Sequence, residues 1–130
     1  MPLITDFALP ASPKHLELPE GTDAKAYLVF VTSDDPVTGQ SWCPDVRAAW
    51  PALEATFSGA SAPALRVVEV GQKPEWKDLQ NIYRTNWKIS CIPALVRYER
   101  VNGETVETGK LMEGEILDKK KLGEFMGTTL

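Results

Sequence analysis

Hydrophobic and polar positions along the chain switch between a strand-like and a helix-like period, and the switches predict alternating strands and helices. Ala26 to Val31 is a continuous apolar run ending in Thr32-Ser33-Asp34-Asp35-Pro36, which predicts a central strand covered on both faces and then a turn. Val46, Ala49, Trp50, Leu53 and Phe57 recur at three- and four-residue spacing, so they predict a helix with one buried stripe that stops at Ser58-Gly59. Pro51 should kink that helix, because it has no amide hydrogen and its ring crowds the preceding turn. Ala64 to Val70 predicts a second core strand, and Asp78 to Asn86 a short helix with Leu79, Ile82 and Tyr83 inward. Ala94 to Val101 and Thr105 to Met112 predict two more strands, made antiparallel by Asn102-Gly103, whose residue types suit a tight turn with positive φ at both central positions. Asp118 offers a cap for a last helix burying Leu122, Phe125 and Met126. Before residue 26, Pro2, Pro10, Pro13, Pro19 and Gly21 break every periodicity, leaving one short strand at Leu3 to Phe7 and otherwise irregular backbone through residue 25. The order predicts a single α/β domain, a central mixed sheet flanked by helices on both faces.

Composition narrows the function classes. A chain of 130 residues with 43% apolar and 25% charged content is large enough to bury its own core without a metal or disulfide staple. A net charge of −4 gives no electrostatic case for nucleic acid or for an anionic membrane surface. Lys119 to Lys121, flanked by Asp118 and Glu124, read as a solvated helix face. The first ten residues lack the basic start and apolar stretch of a secretory signal, and no segment approaches the roughly 20 apolar residues of a membrane span. Two cysteines without a disulfide framework suit the cytoplasm, where thiols stay reduced, and a monomer is expected. The single histidine, His15, lies in a proline-bounded stretch, and Cys and His together are too few for a metal site.

The chemistry concentrates at Ser41-Trp42-Cys43-Pro44-Asp45-Val46. A Cys-x-x-Cys pair works because its first sulfur attacks a disulfide and its second expels the mixed disulfide so formed. Here valine holds the second position. At the start of a helix, Cys43 is near unpaired backbone amides that favour the thiolate; Asp45 opposes that effect and Arg47 offsets part of it. A peroxiredoxin pattern places a Thr or Ser at position 40, where this chain has glutamine, so the loop from Asp34 to Gln40 reads instead as a spacer on the rim of the site. Tyr27 to Val31 contains no carboxylate, which leaves proton transfer to Asp45, solvent or substrate. Trp50 is expected in the core, and Trp76, on a connecting loop, as a packing lid or a substrate contact.

Taken together, Gln40-Ser41-Trp42-Cys43-Pro44-Asp45, Pro51 eight residues beyond the cysteine, the run Val70-Gly71-Gln72-Lys73-Pro74-Glu75-Trp76-Lys77-Asp78, and Ile92-Pro93 at the start of a strand resemble the thioredoxin domain-containing protein 17 family. The similarity is good over residues 26 to 101 and weak at the ends. It implies a thioredoxin-like fold and a cytosolic disulfide reductase acting on small disulfides such as cystine, on persulfides or on nitrosothiols, with electrons from thioredoxin reductase. It makes Cys43 the attacking sulfur, Trp42, Pro44 and Asp45 its surroundings, and Ile92-Pro93 the cis-proline loop that receives substrate backbone. Val46 replaces the family's resolving cysteine. Two readings follow. In one, Cys43 runs a monothiol cycle without a bound cofactor, resolved by glutathione as co-substrate, by another external thiol, or by Cys91. In the other, turnover is lost and the groove between Cys43 and Pro93 binds a protein partner. Cys91, two residues before Pro93, is a candidate resolving thiol, a surface thiol open to glutathione, or a packing residue.

Overall fold

The computed structural model describes residues 3–18, 24–59 and 62–127. Lys25–Val31 forms the central strand β2, and all its residues after Lys25 are buried, as the continuous apolar run requires. It lies between β3 (Leu65–Glu69), parallel to it, and β4 (Ala94–Val101), antiparallel to it. Strand β1 (Leu3–Ile4) adds parallel to the far side of β3, and β5 (Glu104–Met112) pairs antiparallel with β4, giving the order β1-β3-β2-β4-β5. The β4–β5 turn has φ of 53° at Asn102 and 82° at Gly103, the conformation that the Asn-Gly pair predicts.

Helices cover both faces. Helix α1 (Pro44–Phe57) and α4 (Lys119–Met126) pack Val46, Ala49, Leu53, Phe57, Leu122 and Phe125 against Tyr27, Val29 and Val31. On the opposite face, Phe30, Val68, Val96 and Tyr98 meet Trp76 of α2 (Lys73–Lys77), Ile82 and Tyr83 of α3 (Ile82–Thr85), and Trp87. Asp118 caps α4 as expected, its carboxylate accepting the amides of Lys120 at 3.0 Å and Lys121 at 3.1 Å.

Four expectations need correction. The helix expected from Asp78 to Asn86 shrinks to α3, because the extended backbone of Asp78 ends the separate, earlier helix α2 and Asn81 caps a helix that starts only at Ile82. The Asn81 amide donates to the carbonyls of Glu75, Trp76 and Asp78, while its oxygen accepts the Arg84 amide, so one side chain satisfies both helix ends. Leu79 falls in the turn between them and is 69% exposed rather than inward. Trp76 is a helix residue, buried with the Arg84 guanidinium 3.9 Å above its ring, so it packs the fold rather than covering a substrate. Strand β1 stops at Ile4, well short of Phe7, whose ring packs on the α2–α3 face and lies 5.1 Å from the Arg66 guanidinium. The stretch ahead of β2 is less irregular than expected: Pro13–His15 forms a 3-10 turn and Leu16 is buried. Pro2, Pro19 and Gly21 lie outside the described residues.

Candidate active site

Phe30 of β2 is the register partner of Ala94 of β4, and the two strands run in opposite directions. The loop that leaves β2 toward Cys43 and the loop that brings Ile92-Pro93 into β4 therefore emerge at the same end of the sheet. The first of these loops is tied to itself. The Asp35 amide donates to the Gln40 carbonyl at 2.7 Å, the Gly39 amide to the Asp35 carbonyl at 2.7 Å, and the Val37 amide to the Asp35 carboxylate at 2.7 Å. Gln72 joins it to α2 by donating to the Asp34 carbonyl at 2.8 Å. The loop from Asp34 to Gln40 is thus pinned both to itself and to α2.

Cys43 is the N-cap of α1. Its amide donates to Ser41 Oγ at 3.1 Å, its carbonyl accepts the Arg47 amide at 3.2 Å, and its own side chain makes no capping bond. The main chain is thereby held on both sides of the Cα while the sulfur stays uncommitted, half-buried against the α1-side core. Among the described residues, no side-chain hydrogen bond to the first-turn amides of α1 is found. Pro44 and Asp45 are exposed in that first turn. Val46 is 5% exposed and packs in the α1-side core, so the second position of the pair is filled by hydrocarbon.

Ser41 is the joint of this arrangement. Its hydroxyl pairs with that of Thr32, and its carbonyl accepts Arg47 Nη1 at 2.5 Å. Thr32 and Ser41 are the buried polar residues among those described, and the sequence reading missed both. The available signal was the hydroxyl type on each side of the loop, at the end of β2 and two residues before the cysteine. Trp42 turns to the opposite face, where its ring packs against the α2–α3 core and its Nε1 donates to the Gly71 carbonyl at 3.1 Å. That carbonyl also accepts the Ser33 amide at 3.1 Å. Gly71 has φ of 98°, and a Cβ there would come within 2.9 Å of the Glu75 carboxyl group.

The Ile92-Pro93 peptide bond is cis, and both residues are buried. The Pro93 carbonyl accepts the Glu113 amide at 2.8 Å, which ties the loop to the residue following β5. Cys91 is half-buried and free, with the Ser90 hydroxyl 3.9 Å from its sulfur. No disulfide joins it to Cys43. Pro51 lies inside α1, which runs its full 14 residues, and Trp50, expected in the core, is only half-buried. Trp50 stands instead on the wall of a cavity of about 400 Å³ between α1 and the sheet, together with Val46, Arg47 and Ser41. Among the described residues, no helix is long and apolar enough to cross a membrane.

The model of the thioredoxin domain of the thioredoxin domain-containing protein 17-like proteins matches residues 10–125. The chain belongs to this family. A thioredoxin domain-containing protein of Schizosaccharomyces pombe is 34% identical over 100 residues, which cover 77% of this chain and 81% of that one. Human thioredoxin domain-containing protein 17 is 32% identical over 80 residues, covering 61% of this chain and 65% of the relative. A thioredoxin structure from Trichomonas vaginalis superposes with a TM-score of 0.56 over 95% of this chain and 96% of that one, at 12% sequence identity. At that identity the superposition speaks for the fold alone. Family membership gives the chain a general thiol-redox character.

Proposed function

We propose that the protein is a monothiol thiol–disulfide oxidoreductase in which Cys43 carries the chemistry. The observation that supports this most is the bonding at Cys43, whose amide and carbonyl are both held while its sulfur is free at the start of α1. In the first step the Cys43 thiolate attacks a sulfur of a small or protein disulfide, or of a persulfide or nitrosothiol, and the departing group takes the displaced electron pair. For a disulfide this leaves a mixed disulfide on Cys43 and a free thiolate. Val46 has no sulfur with which to continue. An external thiolate, with glutathione as the natural class, then attacks the mixed disulfide and releases Cys43. The rim of Trp42, Pro44 and Asp45 and the cis Ile92-Pro93 loop form the surface that receives substrate. On this reading Cys91 is not required, and the protein works as a cytoplasmic monomer supplied with electrons by glutathione or through thioredoxin reductase.

The test is steady-state reduction of a small disulfide with thioredoxin reductase alone and with glutathione. Turnover that depends on glutathione, is lost in Cys43→Ser and survives in Cys91→Ser is expected. Absence of turnover in every chain except Val46→Cys would instead leave a partner-binding module, a reading favoured by the burial of Val46, a hydrocarbon side chain, at the second position of the pair.

A further inference from the structure

The cavity between α1 and the sheet, which Ser41 and Val46 line on either side of Cys43 in the chain, carries charges of both signs that do not pair. Asp34, Glu69 and Arg47, all exposed residues, line it together with the buried Thr32 and Ser41. Among the described residues the ion pairs are Arg97 with Glu99, Lys110 with Glu107 and Lys121 with Glu115, so neither cavity carboxylate is paired to Arg47. Arg47 cannot swing freely, because its Nη1 is committed to the Ser41 carbonyl. Opposite charges that share a cavity without touching leave a gap that a zwitterion spans, its ammonium toward the carboxylates and its carboxylate toward the guanidinium. The site lies beyond the carboxyl ends of the parallel strands β2 and β3, where open α/β sheets commonly take ligands. Val46, which stands where a pair would have its second sulfur, is on the same wall, and Cys43 lies between Ser41 and Val46 in the chain.

We propose that this cavity seats the α-amino-acid end of the external thiol that resolves Cys43, so that the preferred resolving thiol carries both a free α-ammonium and an α-carboxylate. The inference rests on the monothiol reading above. The ligand supplies what Val46 removed: its thiolate attacks the Cys43 mixed disulfide, the new disulfide leaves with the ligand, and Cys43 recovers its thiolate, while the proton of the incoming thiol passes to solvent. Cysteine and the γ-glutamyl end of glutathione share the required chemistry; N-acetylcysteine lacks the ammonium and 2-mercaptoethanol lacks both charges.

The experiment starts from the full chain carrying a 2-mercaptoethanol mixed disulfide on Cys43 and measures its release by these four thiols. Each rate is divided by the same thiol's rate on hydroxyethyl disulfide, which removes intrinsic reactivity. The normalised rate of cysteine or glutathione should exceed that of N-acetylcysteine by about tenfold, the effect of one charge-assisted contact. Glu69→Gln and Asp34→Asn should each pull that ratio down, while Glu104→Gln, on the remote hairpin, should not. The faster of cysteine and glutathione identifies which source fits the cavity, and either supports the proposal. Equal normalised rates for all four thiols, or a ratio untouched in both carboxylate variants, would overturn it and leave the monothiol reading standing. No release by any thiol would overturn the monothiol reading as well.

Discussion

The two cysteines stand at the same end of one sheet in very different settings. Cys43 opens a 14-residue helix, with its amide on Ser41, its carbonyl on the helix ladder, and Ser41 itself held by Thr32 and Arg47. Cys91 sits in a bend before β4, and the hydroxyl of Ser90 at 3.9 Å is the polar contact to its sulfur. Both thiols are free and half-buried, so exposure does not separate them. What separates them is how much of the fold is committed to fixing the residue. A nucleophile gains from a fixed approach direction and from backbone amides that wait for its charge. On the proposed reading, the commitment of the fold around Cys43, absent around Cys91, is what makes Cys43 the nucleophile.

Variants can break or sharpen this contrast. The largest effect belongs to Cys43→Ser, which should bring disulfide turnover to the uncatalysed level, since no other group takes the nucleophile's place. Gly71→Ala comes next. It forces a side chain into a φ of 98° and brings a Cβ within 2.9 Å of the Glu75 carboxyl group, beneath the carbonyl that anchors Trp42. A loss of about 1–3 kcal/mol is expected in urea unfolding. Ser41→Ala leaves the Cys43 amide and the buried Thr32 hydroxyl without their partner and should cost about 1–2 kcal/mol. It should also slow alkylation of Cys43 relative to Cys91 in the same molecule, with Ser41→Thr restoring much of the rate. An unchanged ratio in a folded Ser41→Ala protein would remove Ser41 from the account. Cys91→Ser is the smallest, with stability within about 0.5 kcal/mol of the parent and glutathione-dependent turnover retained.

Much of the fold was legible because its signals were local and agreed with one another. The apolar run of β2, the stripe on α1, Asn102-Gly103 and Asp118 each predicted an element that formed, as did Cys43 at the start of a helix. The misreadings came where a single side chain outweighed a periodicity. Asn81 caps a helix that starts only at Ile82, so the expected helix loses its first turn and Leu79 stays in solvent, although Leu79, Ile82 and Tyr83 have helical spacing. Trp76 looked like a loop residue until a short helix placed it under Arg84. At the site, the absence of a carboxylate from β2 left proton transfer to Asp45, solvent or substrate. The buried polar groups beside Cys43 are hydroxyls, from the end of β2 and from the loop, and their pairing depends on a loop closure that spans residues 32 to 41. Contacts of that kind are set by tertiary structure and leave little trace in a pattern of hydrophobicity.

The most direct test of an externally resolved Cys43 is intact-mass analysis of the mixed disulfide as it ages. In the absence of added thiol the adduct on Cys43 should persist, and glutathione should clear it and return the fully reduced chain. Release without added thiol, leaving a chain two hydrogens lighter with Cys43 bonded to Cys91, would contradict the account and make Cys91 the resolving thiol.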